Sequence, residues 1–366
     1  RQQQNARCKD DFFHTAFLLF PLMYAGKAAD VRCPPLFCRG GRLGVFHMIE
    51  DILAKAGSGA LLERQDALRL LEVATGSAEY YALLGAANAY ARTAFRGRGV
   101  IFAQIGIDAQ ACGVNCKFCS LAADARRGQP ACIKTLEETV ELARELAASG
   151  IEDLFLMTTA EFPQEKFLAY GRAVRAVLPP QMRLVANVGD FGPAYAAALK
   201  EAGFTGVYHI HRLREGTDTN ARPQARIRTM DSVRGAGLEL YYCVEPIGPE
   251  HTHQELVDEM LRIRDYPVGV MAVMKRIAVP GTPLGSQGEI SAAQLAKICA
   301  VTTLTARPPR AMCVHEPDEL CLMAGANQIY AECGVNPRDN SLETRLNRGF
   351  STEQARALLQ KTEWEV

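Results

Sequence analysis

From residue 48 onward, apolar and polar positions alternate between two periods along the chain. Residues 48–57, 62–74 and 77–94 repeat apolar side chains at the spacing of amphipathic helices. Gly99-Val-Ile-Phe-Ala-Gln-Ile-Gly-Ile107 is then an apolar run of strand length. After it the two patterns take turns. Thr135-Leu-Glu-Glu138 is a capping box that opens a helix closing near Gly150. Further helices are expected at 163–178, 193–202, 222–236, 252–266, 291–306 and, shorter and apolar, at 319–325. Between and after them, strands are expected at 151–159, 182–188, 206–211, 238–246, 268–277, 310–316 and 327–332.

That makes eight strands, each after the first reached through a helix. Strict alternation requires parallel strands with right-handed crossovers, and eight such units close into an α/β fold of the (β/α)8 TIM-barrel type. A partial barrel of six units with a C-terminal extension is the competing architecture, because the last two units are irregular. In either case the active site is expected at the carboxyl ends of the strands. The barrel spans residues 99–340, with 48–98 as helices capping one end. Residues 341–366 form a polar tail with a helix at 351–361, and Trp364 is expected to cover the barrel exterior.

Residues 1–47 read differently. Phe12 to Tyr24 is a short apolar run behind Arg1, Arg7 and Lys9, but Asp10 and Asp11 are misplaced for a secretory signal. Cys33-Pro-Pro-Leu-Phe-Cys38 has no matching partner pair. Met48 is read as the natural start, and 1–47 as an upstream extension without a settled fold.

Composition narrows the function. The 366 residues carry 41 basic and 41 acidic side chains, which gives no electrostatic case for nucleic acid. No stretch approaches the roughly 20 apolar residues that span a bilayer. Twelve cysteines are not laid out as a secreted disulfide scaffold, so a reducing, cytoplasmic setting is expected.

Three of those cysteines carry the chemistry. Cys112-Gly-Val-Asn-Cys116-Lys-Phe-Cys119 follows the first strand directly, at the expected active-site end. Three thiolates leave a four-iron cluster one ligand short, and that open iron can chelate a small molecule. Zinc sites more often show two separated pairs, which this chain lacks.

The spacing resembles the radical S-adenosylmethionine (SAM) superfamily. The resemblance implies a [4Fe–4S] cluster on Cys112, Cys116 and Cys119, SAM on its open iron, and Phe118 as the aromatic residue between the second and third thiols. It places Thr158, Thr159 and Glu161 at the amino group of SAM. Arg222, before Pro223, becomes the fork for its carboxylate, and Gly248 the close backbone approach to adenine. His211, Arg212, Arg214 and Glu215 then position the substrate, with His209 and His211 sharing one strand face. Asn187 is expected to meet substrate or ribose, and Asp190 to cap a helix.

Within the superfamily the chain looks like the biotin synthase group, which includes hydrogenase maturases and methylornithine synthase. The cysteine loop, Gly281-Thr-Pro-Leu284, and Met323-Ala-Gly-Ala-Asn327 with the following Gln-Ile-Tyr carry this likeness. The group implies a small-molecule substrate and an electron donor such as flavodoxin or ferredoxin. It also raises a second iron–sulfur cluster. Here Phe155, Leu156, Ala186 and Asn187 stand where thiols are expected, and only Cys243 and Cys313 lie near. Hydrogen abstraction from a small polar substrate is therefore preferred. The alternatives are a true biotin synthase with an altered auxiliary cluster, and a non-catalytic zinc-binding protein.

Overall fold

The computed structural model describes residues 41–342, 344 and 350–366. The expectations placed on residues 1–40, including the Cys33/Cys38 pair, lie outside the described residues. The compact unit considered below runs from Gly44 to Val366.

Eight parallel strands close into one barrel in chain order. They are β1 (Val100–Gly106), β2 (Asp153–Met157), β3 (Arg183–Asn187), β4 (Gly206–Tyr208), β5 (Glu239–Ile247), β6 (Val268–Lys275), β7 (Ala311–Val314) and β8 (Gln328–Gly334). β1 pairs with both β2 and β8, so the six-unit alternative is set aside and the (β/α)8 barrel stands. The helices that follow the strands are α4 (Leu136–Ala148), α5 (Gln164–Arg175), α6 (Pro193–Glu201), α7 (Pro223–Ala236), α8 (His253–Arg262), α9 (Ala292–Ala306) and α10 (Glu319–Leu322). The capping box at Thr135 forms as read, with the Thr135 side chain on the Glu138 amide and Glu138 on the Thr135 amide.

Three helices precede the barrel: α1 (Gly41–Gly57), α2 (Arg64–Leu71) and α3 (Ala78–Ala94). α2 packs on α8 and α9, and α3 on α9 and thus along the flank of the helical ring. The Tyr80 hydroxyl donates to Ala293 O (3.1 Å) across that contact. At the other end of the chain, α11 (Thr352–Lys361) lies against β1 and β8. Trp364 is 2 % exposed, and its indole donates to Leu322 O (3.3 Å). A Cβ on Gly99 would stand 3.0 Å from that of Trp364, which is why the entry to β1 carries no side chain there.

Alternate residues of each strand point inward. At the amino-terminal end they form an ion network. Arg310 reaches Asp153 (3.0 Å), Glu239 (2.9 Å) and the Tyr241 hydroxyl (2.5 Å), and Gln328 donates to Asp153 (3.2 Å). Above it lies an aromatic layer in which Phe102 and Phe155 sit 4.6 Å apart, and Phe155 meets Tyr241 edge-on at 5.1 Å. This filling closes the lower half of the barrel and leaves the carboxyl-terminal half open.

Candidate active site

The open half is a cavity of about 1100 Å³, mouth included. Cys112, Cys116, Cys119 and Phe118 line its rim; Gln104, Phe102, Phe155 and Tyr208 form its depth; Arg212, Arg226, Arg276, Glu245, His315 and Arg338 bring charge. Arg212 and Arg226 enter beside the cysteine loop.

The loop from Cys112 to Cys119 has no helix or strand of its own. Foreign backbone holds it instead. Lys117 N donates to Asp218 O (2.9 Å), Asn220 N to Val114 O (2.7 Å), Leu284 N to Lys117 O (2.9 Å) and Ser120 N to Pro337 O (2.9 Å). Between the first two thiols the chain turns at Asn115, whose φ is 48°. Asparagine tolerates this region, and the Asn115 side chain is pinned to Asp124 (2.7 Å). The Gly281-Thr-Pro-Leu284 segment therefore acts as a clamp on the loop.

Burial raises all three thiols, and holds Cys116 up at about 11 despite the opposing pull of Arg212. Thiols so placed become thiolates only when a cation compensates them. The loop cysteines are spread more widely than one ion requires: among the described residues, the only three-donor set drawn within 4.8 Å is Cys243, Glu245 and His315. A multi-atom cluster fits the loop trio better than a zinc ion does.

The sequence of the site separates into residues that reach the cavity and residues that build its wall. Thr158 lines it, and its buried hydroxyl has no hydrogen-bond partner. Thr159 also lines it, with its amide (2.8 Å) and hydroxyl both bound to the fully buried Asp108. Glu161 lies outside the cavity and accepts the Gly113 amide (2.7 Å), so its contact is to the cysteine loop.

On β4 the expected face is reversed. Tyr208 and Arg212 reach the cavity, whereas His209 and His211 look outward. His209 meets Asp190 (3.1 Å), and His211 meets Glu259 on α8 (2.9 Å). The histidines do share a face, but β4 turns its other face inward. Arg214 is likewise outside, bonded to Glu255 (2.8 Å) and Glu250 O (2.6 Å). Glu215 lies behind the cavity wall. It accepts the Arg212 amide (3.0 Å) and stands 3.3 Å from Arg226, orienting both guanidinium groups.

Arg222 is the exposed N-cap of α7 and does not reach the cavity. One helical turn later, Arg226 does, buried between Glu215 and Asp190 (3.2 Å). Gly248 also lies outside the lining. A Cβ there would meet the Arg276 guanidinium at 2.3 Å, so its absence makes room for Arg276. Asn187 lines the cavity, while Asp190 serves His209 and Arg226.

Arg226, Arg276, Arg338 and Tyr208 are the site residues that sequence reasoning did not single out. Arg338 follows β8 and is locked by Glu316 (2.7 Å), Glu332 (2.6 Å) and the Tyr330 hydroxyl (3.0 Å). Its signal was faint: an Asn-Pro-Arg segment just past the last strand.

No family model matches the chain. Biotin synthase of Desulforudis audaxviator is 29 % identical over 268 residues, covering 70 % of this chain and 79 % of that protein. Biotin synthase of Escherichia coli O157:H7 is 24 % identical over 277 residues, covering 69 % and 79 %. Among solved structures, methylornithine synthase (PylB) superposes with a TM-score of 0.71 at 18 % identity, covering 85 % of this chain and 95 % of that one. The hydrogenase maturase HydG of Carboxydothermus hydrogenoformans gives 0.69 at 17 % identity, covering 87 % and 79 %. The chain is thus similar in sequence to biotin synthases and in fold to methylornithine synthase and HydG.

The cavity suits both the [4Fe–4S] cluster and the SAM that the resemblance implies. Three thiols open onto it, an unbonded hydroxyl waits at Thr158, and two guanidinium groups stand beside the thiols. Among the described residues, no helix is long and apolar enough to cross a membrane.

Proposed function

We propose that Cys112, Cys116 and Cys119 hold a [4Fe–4S] cluster, and that SAM and a small polar substrate bind in the cavity below it. Reduced by a donor such as flavodoxin or ferredoxin, the bound pair would supply a 5′-deoxyadenosyl radical that takes a hydrogen atom from the substrate. Arg212 and Arg226 offer charge-assisted donors to the methionyl carboxylate. Thr158 offers its hydroxyl to the amino group. Glu215 holds the two arginines, and Glu161 and Asp108 hold the loop and strand end that present thiols and threonines. The rings of Phe102, Phe155 and Tyr208 form the aromatic part of the floor and help keep water from a reactive intermediate.

The observation that carries this reading is that three cysteine side chains and the unbonded Thr158 hydroxyl line one cavity. Aromatic rings on that floor, where a sulfur-donating cluster would need thiols, favour hydrogen abstraction over sulfur insertion. Anaerobic reconstitution should give about four irons per chain. Dithionite and SAM should then yield 5′-deoxyadenosine by mass spectrometry. Cys116→Ala should lose both the brown chromophore and that product; product formation at the parent rate refutes the assignment.

A further inference from the structure

The trio of donors on the cavity floor is separate from the cysteine loop and has no part in the reading above. Cys243 and Glu245 lie two residues apart on β5 and so share its inward face. His315 follows the last residue of β7. Cys243 and Glu245 are buried, and the His315 side chain is only 12 % exposed. One donor atom from each falls within 4.8 Å of the other two.

This spacing comes close to that of one ion, and small side-chain adjustments would complete the approach. Zinc bonds to sulfur, imidazole nitrogen and carboxylate oxygen run about 2.0–2.3 Å, which limits donor separation to about 4.6 Å. A two-iron cluster spreads its ligands over two centres and needs a wider set. Cys313, the other thiol considered for such a cluster, is outside the trio.

The surroundings also suit an ion. The Tyr208 hydroxyl donates to Glu245 Oε2 (2.7 Å), an outer partner of the kind that orients a ligating carboxylate, and Oε1 faces Arg212 more loosely at 3.6 Å. Glu245 and His315 line the cavity, so a fourth coordination position would face the substrate. Arg212, 3.6 Å from Glu245, links this floor to the cysteine rim.

We propose that Cys243, Glu245 and His315 form a second metal site, for a single zinc-class divalent cation whose open position polarises a substrate oxygen or nitrogen. On binding, the Cys243 thiol releases its proton to solvent and ligates as thiolate.

The test removes the loop cluster, so that its outcome does not depend on the radical chemistry. A variant with Cys112, Cys116 and Cys119 replaced by Ala is freed of metal and titrated with Co²⁺ under argon. One equivalent should bind, with a thiolate-to-cobalt charge-transfer band in the near ultraviolet. Adding Cys243→Ser should abolish that band, and adding His315→Gln should weaken binding at least about tenfold. Absence of stoichiometric binding, or an undiminished band in the Cys243→Ser protein, overturns the proposal. Far-ultraviolet circular dichroism confirms the fold. If the serine variant does not fold, His315→Gln decides: an unchanged visible cobalt spectrum and affinity overturn the site.

Discussion

Replacing Arg310 with Met should cost the fold about 3–5 kcal/mol, the range for breaking a buried ion pair by removing one partner. The side chain is 18 % exposed and touches two acids at the amino-terminal end of the barrel, of which Asp153 has no exposed side-chain surface. Each contact near 3 Å represents about 5 kcal/mol of gross Coulomb attraction at an effective dielectric constant of 20, most of it offset by desolvation. What the substitution leaves behind sets the net effect. Asp153 would keep only Gln328 at 3.2 Å and the more distant Arg183 at 3.7 Å. Glu239 would keep Arg183 at 3.8 Å. Urea unfolding of the metal-free protein, followed by circular dichroism at pH 7, measures the loss. The companion variant Arg310→Met, Asp153→Asn, Glu239→Gln should recover at least half of it, because no charge is stranded. A loss under about 1 kcal/mol for the single variant, or no recovery in the triple one, would falsify the account of the lower barrel as a charge-compensated plug.

Arg226→Gln should weaken SAM binding by roughly 10–100-fold, the worth of a hydrogen bond to a charged group, while Arg222→Gln should change it less than about twofold. Equilibrium dialysis on reconstituted protein separates the two, and equal effects would contradict the placement of α7. Thr158→Val should weaken the same binding by about 2–12-fold; no change would mean its hydroxyl meets no ligand. Burial holds His209 down at about 4, below the ordinary histidine value of about 6.5, so the unfolded chain binds a proton that the native one refuses. Stability should therefore fall as pH drops from about 6.5 to 4, and His209→Gln should flatten that limb in urea titrations. An unchanged slope removes His209 from the explanation.

The alternation of periods made the barrel legible, because each strand after β1 is announced by a helix before it. The cysteine loop was legible for a different reason: three soft ligands at that spacing have few other uses. Side-chain direction was harder. His209, His211 and Arg214 looked like site residues because they are polar at a strand end, yet strand parity aims Tyr208 and Arg212 inward instead. A one-residue change of register inverts every such assignment, and sequence alone does not set register on a three-residue strand such as β4. Arg222 and Arg226 differ by one helical turn, too fine a distinction for composition near a helix start. Gly248 was read as room for a ligand, and it is room for Arg276. Arg338 and the Cys243–Glu245–His315 trio depend on contacts between distant strands, which no local pattern encodes.

The tethers of the cysteine loop have a consequence for biogenesis. Asp218, Asn220, Leu284 and Pro337 all leave the ribosome after the three thiols, the last of them 218 residues after Cys119. A nascent chain lacking its final strand would carry the thiols on an unanchored segment. Iron loading should therefore be a late, post-translational event, and fragments ending before Pro337 should release their iron to chelators faster than the whole protein does.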